Sequence, residues 1–231
     1  MALSHSPNVI TSSLIFHFDA ANTRCYPGTG NTVNGLAEGI GGTFVNGTGF
    51  SSSNNGSFFF DGTNDYISIG VQPLIDGYQL PVTLMGYFKM SSLKLNTICG
   101  VYNGFANVYN LLRIDNSTYR FLLSNASNGQ FQYFDHSTSL SANSWYFFSV
   151  VLSGSLASPS LTMYLNNQAQ SFSPSALKTS VGLNIDYRLG SSYTPGEYFH
   201  GNISQLQIYN RALSAAEIKQ NFEATRDRYG I

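Results

Sequence analysis

The sequence predicts an all-β protein, an antiparallel sandwich or barrel with one short C-terminal helix. Three observations predict it. Short apolar segments alternating at period two recur along the chain. Its 15 Tyr and 17 Phe are strand formers. Ser, Asn, Gly and Thr separate the segments and suit turns better than helices. With 231 residues, 42% of them hydrophobic, the chain can bury a sizeable core as one domain.

The elements follow in order. Residues 1–13 are polar and read as an arm with no obvious place in a sandwich, ahead of a domain over 14–231. LIFHFDA places Leu14, Phe16 and Phe18 on one face and Ile15 and His17 on the other. Residues 22–42, rich in Asn, Gly and Thr, read as a long loop. GSFFFDGTNDYISIG reads as a hairpin turning at Asp61–Asp65. PVTLMGYFKM, NTICGVY, TYRFLLS, FQYFDH, SWYFFSVVL, SLTMYLNN, NIDYRLG and GNISQLQIY are further strands. The helix is predicted over about 214–224. Ser214 and Glu217 form a capping box, Leu213 a staple, and Ile218 and Phe222 one apolar face.

Composition excludes several classes of function. Net charge is −1 and no basic run exists, so a nucleic-acid surface has no source. The stretch Lys219 to Arg228 is interrupted by Glu223 and Asp227 and reads as a polar helix face. No apolar run approaches the roughly 18 residues of a membrane span. The N-terminus lacks the basic and apolar regions of a standard secretory signal. Cys25 and Cys99 read as free thiols. The sequons at Asn46, Asn55, Asn116, Asn125 and Asn202 arise readily in a chain this rich in Asn, Ser and Thr.

Four stretches carry a family resemblance: residues 6–30 (SPNVITSSLIFHFDAANTRCYPGTG), 56–69 (GSFFFDGTNDYISI), 143–154 with 161–167 (NSWYFFSVVLSG, LTMYLNN), and 201–231. The last, with its ending IYNRALSxxEI, is the most specific. Together they resemble the laminin G-like, concanavalin A-like lectin/glucanase domains of tailed-phage structural proteins and bacterial surface proteins. The SPN…DAAN…YPG start and ATRxRYGI end are similar to virion proteins of marine phages. The resemblance implies a two-sheet jelly roll in which the first strand (14–20) lies near the last (202–209). It also implies a virion role as capsid decoration, tail or fibre-associated module. Where the family carries W-x-D-L-S-G-N, this chain has Val33-Asn34-Gly35-Leu36-Ala37-Glu38-Gly39, without the aspartate.

The chemical candidates are few. Glycosidases need two carboxylates across the sugar. The E-x-D-x-E strand of the related glucanases is absent, and Glu38, Glu197, Glu217 and Glu223 are scattered. His5, His17, His136 and His200 lack metal spacing. No enzyme, and in particular no glycoside hydrolase or lyase, is expected. Calcium is expected to be dispensable; if bound, it would fall on Asp19, Asp61 and Asp65, whose oxygens suit a hard cation. The bland reading of Asp61–Asp65 is a turn. Trp145 sits among Phe147, Phe148, Val150 and Val151 and is expected in the core. A glycan site would then use loop aromatics, Tyr102, Phe105, Tyr193 and Tyr198.

Two functions compete: a virion structural protein that forms symmetric oligomers, and a lectin module recognising surface polysaccharide on a virion, outside a cell or on its surface. Arg226, Arg228, Tyr229 and Ile231 are the expected assembly contacts, since Tyr and Arg are enriched at interfaces. On that reading, removing 1–12 or 226–231 leaves a folded sandwich that assembles poorly.

Overall fold

A computed structural model describes residues 7–70, 80–100, 111–128, 130–177, 186–192 and 196–231. Among them the strands are β1 (Leu14–Asp19), β2 (Thr32–Val33), β3 (Gly42–Val45), β4 (Gly49–Ser51), β5 (Ser57–Asp61) and β6 (Tyr66–Gly70). Then come β7 (Val82–Met90), β8 (Asn96–Gly100), β9 (Leu111–Asp115), β10 (Thr118–Ser124) and β11 (Phe131–Ser139). The last are β12 (Trp145–Gly154), β13 (Pro159–Leu165), β14 (Gln168–Phe172), β15 (Tyr187–Leu189) and β16 (His200–Tyr209). The helix α1 spans Ala215–Thr225.

These strands form two antiparallel sheets packed as a sandwich. The first has the order β14-β13-β12-β7-β16-β5-β4, and the second β11-β10-β9-β8-β15-β6-β3-β2. The ten-residue β16 organises the first sheet. One edge pairs with β7, and the other is shared by β5, along His200–Ile203, and β1, along Gln205–Tyr209. The first strand therefore lies beside the last, as the resemblance implies. Ser204 marks the junction: its hydroxyl donates to the Gly56 carbonyl (2.7 Å) and its own carbonyl accepts the Ala20 N–H (3.0 Å).

Between the sheets, Phe16, Phe18, Phe58, Phe88 and Phe148 meet Ile67, Ile98, Leu112, Phe121 and Leu189. Alternation explains most of this core. It fails in β1, where a bulge between Leu14 and Phe16 turns Ile15 inward beside Phe16 and sends Leu14 to the outside. Sequence alternation grouped Leu14 with Phe16, and the extra residue of the bulge breaks that grouping.

The segment 56–69 is not a hairpin. β5 pairs with β4 and β16 in the first sheet, whereas β6 pairs with β3 and β15 in the second. The four residues Gly62–Asp65 carry the chain across the core. Phe58 and Phe60 enter the core from one side and Ile67 and Ile69 from the other. The arch is braced by its own polar groups. Asp61 N–H donates to Asp65 Oδ2 (3.0 Å), Thr63 N–H to Asp61 Oδ1 (2.7 Å), and Asn46 Nδ2 to the Asn64 carbonyl (3.0 Å).

α1 starts at the expected cap. Ser214 Oγ accepts the Glu217 N–H, and Glu217 returns a bond to the Ser214 N–H (2.9 Å). Arg211 grips the same carboxylate, and together these groups pull the Glu217 carboxyl down to about 2. The helix lies on the outer face of the first sheet. Leu213, Ile218 and Phe222 pack there on Met85, Tyr87 and Phe147.

Candidate functional site

The two outer faces of the sandwich differ. On the first sheet, β7 and β12 project Tyr87, Trp145 and Phe147 outward, and α1 with the C-terminal tail covers them. Trp145 is buried, as expected, but in this outer cluster rather than between the sheets. Tyr229 stacks on Tyr87 with centroids 4.0 Å apart, tilts against Trp145 at 4.8 Å, and donates from its hydroxyl to Ser204 Oγ (2.8 Å). Arg228 forms a two-pronged pair with Asp19 (3.0 and 3.1 Å), whose carboxylate also accepts from Gln205 Nε2 (2.9 Å). Beside them burial lowers the pKa of His17, against the pull of Asp19.

The assembly contacts expected from the sequence thus turn mainly inward. Tyr229 is only 6% exposed and Arg228 is paired within the chain, because a stacked aromatic cluster on the sheet needs a lid. Ile231 packs against the same cluster, and Arg226 pairs with Glu223 (2.8 Å) and lies over the Phe222 ring. The N-terminal arm also has a place in the domain. Ile10 N–H donates to Asn221 Oδ1 (2.7 Å), Gln220 Nε2 to the Asn8 carbonyl (2.8 Å), and Tyr209 hydroxyl to the Ile10 carbonyl (2.8 Å). Residues 8–12 run along this chain's own helix and last strand.

On the outer face of the second sheet, charged side chains gather beside Leu122 and Tyr133. The register aligns Asp135 with Arg120 and Arg120 with Arg113, on strands whose alternate residues Phe121, Leu112 and Phe134 fill the core. Arg120 donates from Nε and Nη2 to Asp135 (2.5 and 2.7 Å) and from Nη1 to Asp115 (2.5 Å). Those carboxylates, Asp135 foremost, raise its pKa. Arg113 reaches Asp115 (3.5 Å) and Glu197 (3.4 Å). Glu197 accepts from Ser192 Oγ (2.8 Å), and the Ser192 carbonyl accepts from Arg188 Nη1 (3.4 Å). Arg188 pairs with Asp186 (3.1 Å), which accepts from Ser68 Oγ (2.7 Å), and lies 4.1 Å over the Tyr66 ring. A rail of alternating acid and base therefore crosses the face from β11 to β6. Only 10% of the chain is charged, so this concentration stands out.

Tyr133 stands on the rail. It is 52% exposed, with the guanidinium carbons of Arg120 and Arg113 at 5.3 and 6.0 Å from its ring centroid. Phe131 meets it edge-on at 6.5 Å. A ring held this way offers a flat apolar surface beside fixed donors and acceptors.

Of the expected glycan residues, Tyr102, Phe105 and Tyr193 lie outside the described residues. Tyr198 is half-buried in a bridge with Ser191, next to Glu197 at one end of the rail. Of the calcium candidates, Asp61 and Asp65 meet in the arch, and Asp19 lies apart from them. Asp19 aligns with Gln205 and Asp61 with His200, five residues or roughly 17 Å along β16. Asp65 Oδ1 is buried without a partner and burial raises its carboxyl, inside the arch rather than on a surface. Among the described residues no group of three or more His, Cys, Asp and Glu could hold a metal ion. Cys25 and Cys99 are free and buried, their thiols pushed up to about 12 by desolvation. No described helix is long and apolar enough to cross a membrane.

Two antiparallel jelly-roll sheets, the first capped on its outer face by a helix, define a lectin-like sandwich. The profile of the concanavalin A-like lectin/glucanases superfamily, of the laminin G kind, matches residues 61–219, and the chain belongs to that family. Solved structures agree in fold. Domain 4 of the arabinanase AbnA of Geobacillus stearothermophilus, in complex with arabinotriose, superposes with TM-score 0.60 at 15% identity, over 92% of this chain and 98% of that one. The binding domain of Paraclostridial Mosquitocidal Protein 1 gives 0.68 at 13%, over 91% and 52%. The carbohydrate-binding module CBM40 of a Ruminococcus gnavus sialidase, bound to α2,3-sialyllactose, gives 0.50 at 17%, over 60% and 80%. No curated protein sequence matches the chain.

Proposed function

We propose that this protein is a non-enzymatic glycan-binding module and that the open face of the second sheet is its binding surface. The observation that carries the reading is Tyr133, half exposed and propped by Arg120 and Arg113 on the sheet that α1 and the tail do not cover. A sugar ring stacks its C–H face on an aromatic, and paired Arg and Asp present donors and acceptors to its hydroxyls. Arabinotriose and sialyllactose bound to proteins of this fold support the reading. Each carboxylate of the rail faces an arginine, which suits fixed recognition of hydroxyls. Binding without calcium is part of the proposal. Tyr133→Ala should weaken glycan binding about tenfold or more, as measured by affinity electrophoresis and a glycan array. Reducing ends released by the wild type, or binding indifferent to the substitution, would sink the reading.

The setting proposed for this activity is a virion surface. Its support is the resemblance of both chain ends to phage structural proteins; the partners would be other virion proteins and further copies of the chain. Mass spectrometry of purified particles tests it, and a protein found instead as an extracellular or cell-surface lectin would replace that setting.

A further inference from the structure

We infer that the open face accepts uncharged glycans and discriminates against carboxylated, sulfated or sialylated ones. This rests on the binding reading above and adds the ligand's charge class. The fold does not choose the class, because arabinotriose and sialyllactose are both found on sandwiches of this kind.

The choice comes from how the arginines are used. An anionic sugar is held by a cation whose fork is free to receive it. Here the three described arginines on the face already face carboxylates: Arg120 two of them, Arg113 two, and Arg188 one. The series Asp135, Arg120, Asp115, Arg113, Glu197, Arg188, Asp186 opens and closes on an acid, so its formal charge is −1. An anion arriving at Tyr133 meets Asp135 and Asp115 beside Arg120 and must displace one of them. A hydroxyl displaces nothing. Arg120 spends three N–H groups on Asp115 and Asp135 and keeps two of its five. The exposed edges of those carboxylates accept hydroxyl protons. Neutral sugars offer the matching alternation of donors and acceptors, and Tyr133 takes their apolar face.

The test uses the full chain on an array that pairs neutral oligosaccharides with charged counterparts: lactose with α2,3-sialyllactose, and neutral galactans with their sulfated forms. Wild type is expected to prefer the neutral member about tenfold or more, with affinity almost unchanged by added salt. Asp115→Asn/Asp135→Asn frees Arg120 and is expected to shift the ratio toward the charged member about tenfold. If that double variant loses its near-UV circular dichroism, the wild-type ratio and its salt dependence decide alone. Wild type binding the charged member as tightly or more tightly, and losing it with Tyr133→Ala, overturns the charge class and leaves the binding face standing. No binding to any member, or binding indifferent to Tyr133→Ala, overturns both.

Discussion

Tyr229 and Tyr133 both lie outside the sandwich core, one on each outer face. Tyr229 is 6% exposed and stacked on Tyr87; Tyr133 is 52% exposed on the second sheet. The strands beneath them explain the difference. β12 reads Trp-Tyr-Phe-Phe-Ser-Val-Val-Leu and buries both of its faces, as a strand covered on both sides must. β9, β10 and β11 alternate Leu112, Ile114, Phe121 and Phe134 with Arg113, Asp115, Arg120 and Asp135, the pattern of a wet row, although Leu122, across from Tyr133 on the same face, is buried. The continuous apolar run of β12 therefore marks where the first sheet takes a lid, and alternation with charge marks the row of the second sheet where Tyr133 meets solvent.

The comparison breaks first if the closed face proves dispensable. Tyr229→Ala removes a buried aromatic and its bond to Ser204, and is expected to cost about 3–5 kcal/mol in urea denaturation. Removing 226–231 should cost at least as much, so that truncation unfolds the domain rather than merely weakening assembly. A folded truncation with unchanged midpoint would reverse the reading of the tail.

Arg228→Met should cost about 2 kcal/mol, less than the roughly 3–5 of a fully buried pair because both partners keep some contact with water. It leaves Asp19 without its cation. Asp19→Asn in the same background should restore part of the loss, and a double-mutant cycle with no coupling would count against the pair.

The closed face also sets a pH dependence. His17, on β1, faces Asp19 and Arg228, and burial holds its pKa below the ordinary 6.5. The unfolded chain therefore takes up the proton first as pH falls. Stability due to neutral His17 is full above pH 6.5 and drains away as pH drops toward the folded value. His17→Gln is expected to flatten the decline in Tm between neutral and mildly acid pH. An unchanged profile would assign that decline to other groups.

On the open face the same kind of substitution should hardly register in stability. Tyr133→Ala is expected to change it by no more than about 0.5 kcal/mol while it weakens binding. Chelation should do least, leaving both Tm and glycan affinity where they were; a drop restored by calcium would return Asp61 and Asp65 to consideration as ligands.

Much of the fold was legible from the sequence. The period-two segments became strands, Ser214 and Glu217 capped the helix, and the first strand paired with the last. The arch at Gly62–Asp65 was not legible, because Asp-Gly and Asn-Asp make the same turn whether the chain returns to its own sheet or crosses to the other. Five strands, β2, β3, β4, β9 and β14, are short, polar or close to Gly and Asn, and they gain their order from neighbours distant in sequence. The rail was hidden for that reason. Arg113, Arg120, Asp135, Arg188 and Glu197 come from separate segments and become one feature only in the sheet register. Their signal was the presence of scarce charges at alternate positions inside strands, as at Arg113 and Asp115; Glu197, outside any strand, carried none.

The arm and the tail also bear on how the molecule can be displayed. Asn8 and Ile231 both lie against the helix-covered side. A partner or surface that engages residues 8–12 or 226–231 meets the domain from behind, and the rail with Tyr133 looks the other way. Held by that side, many copies would present the same face to whatever approaches.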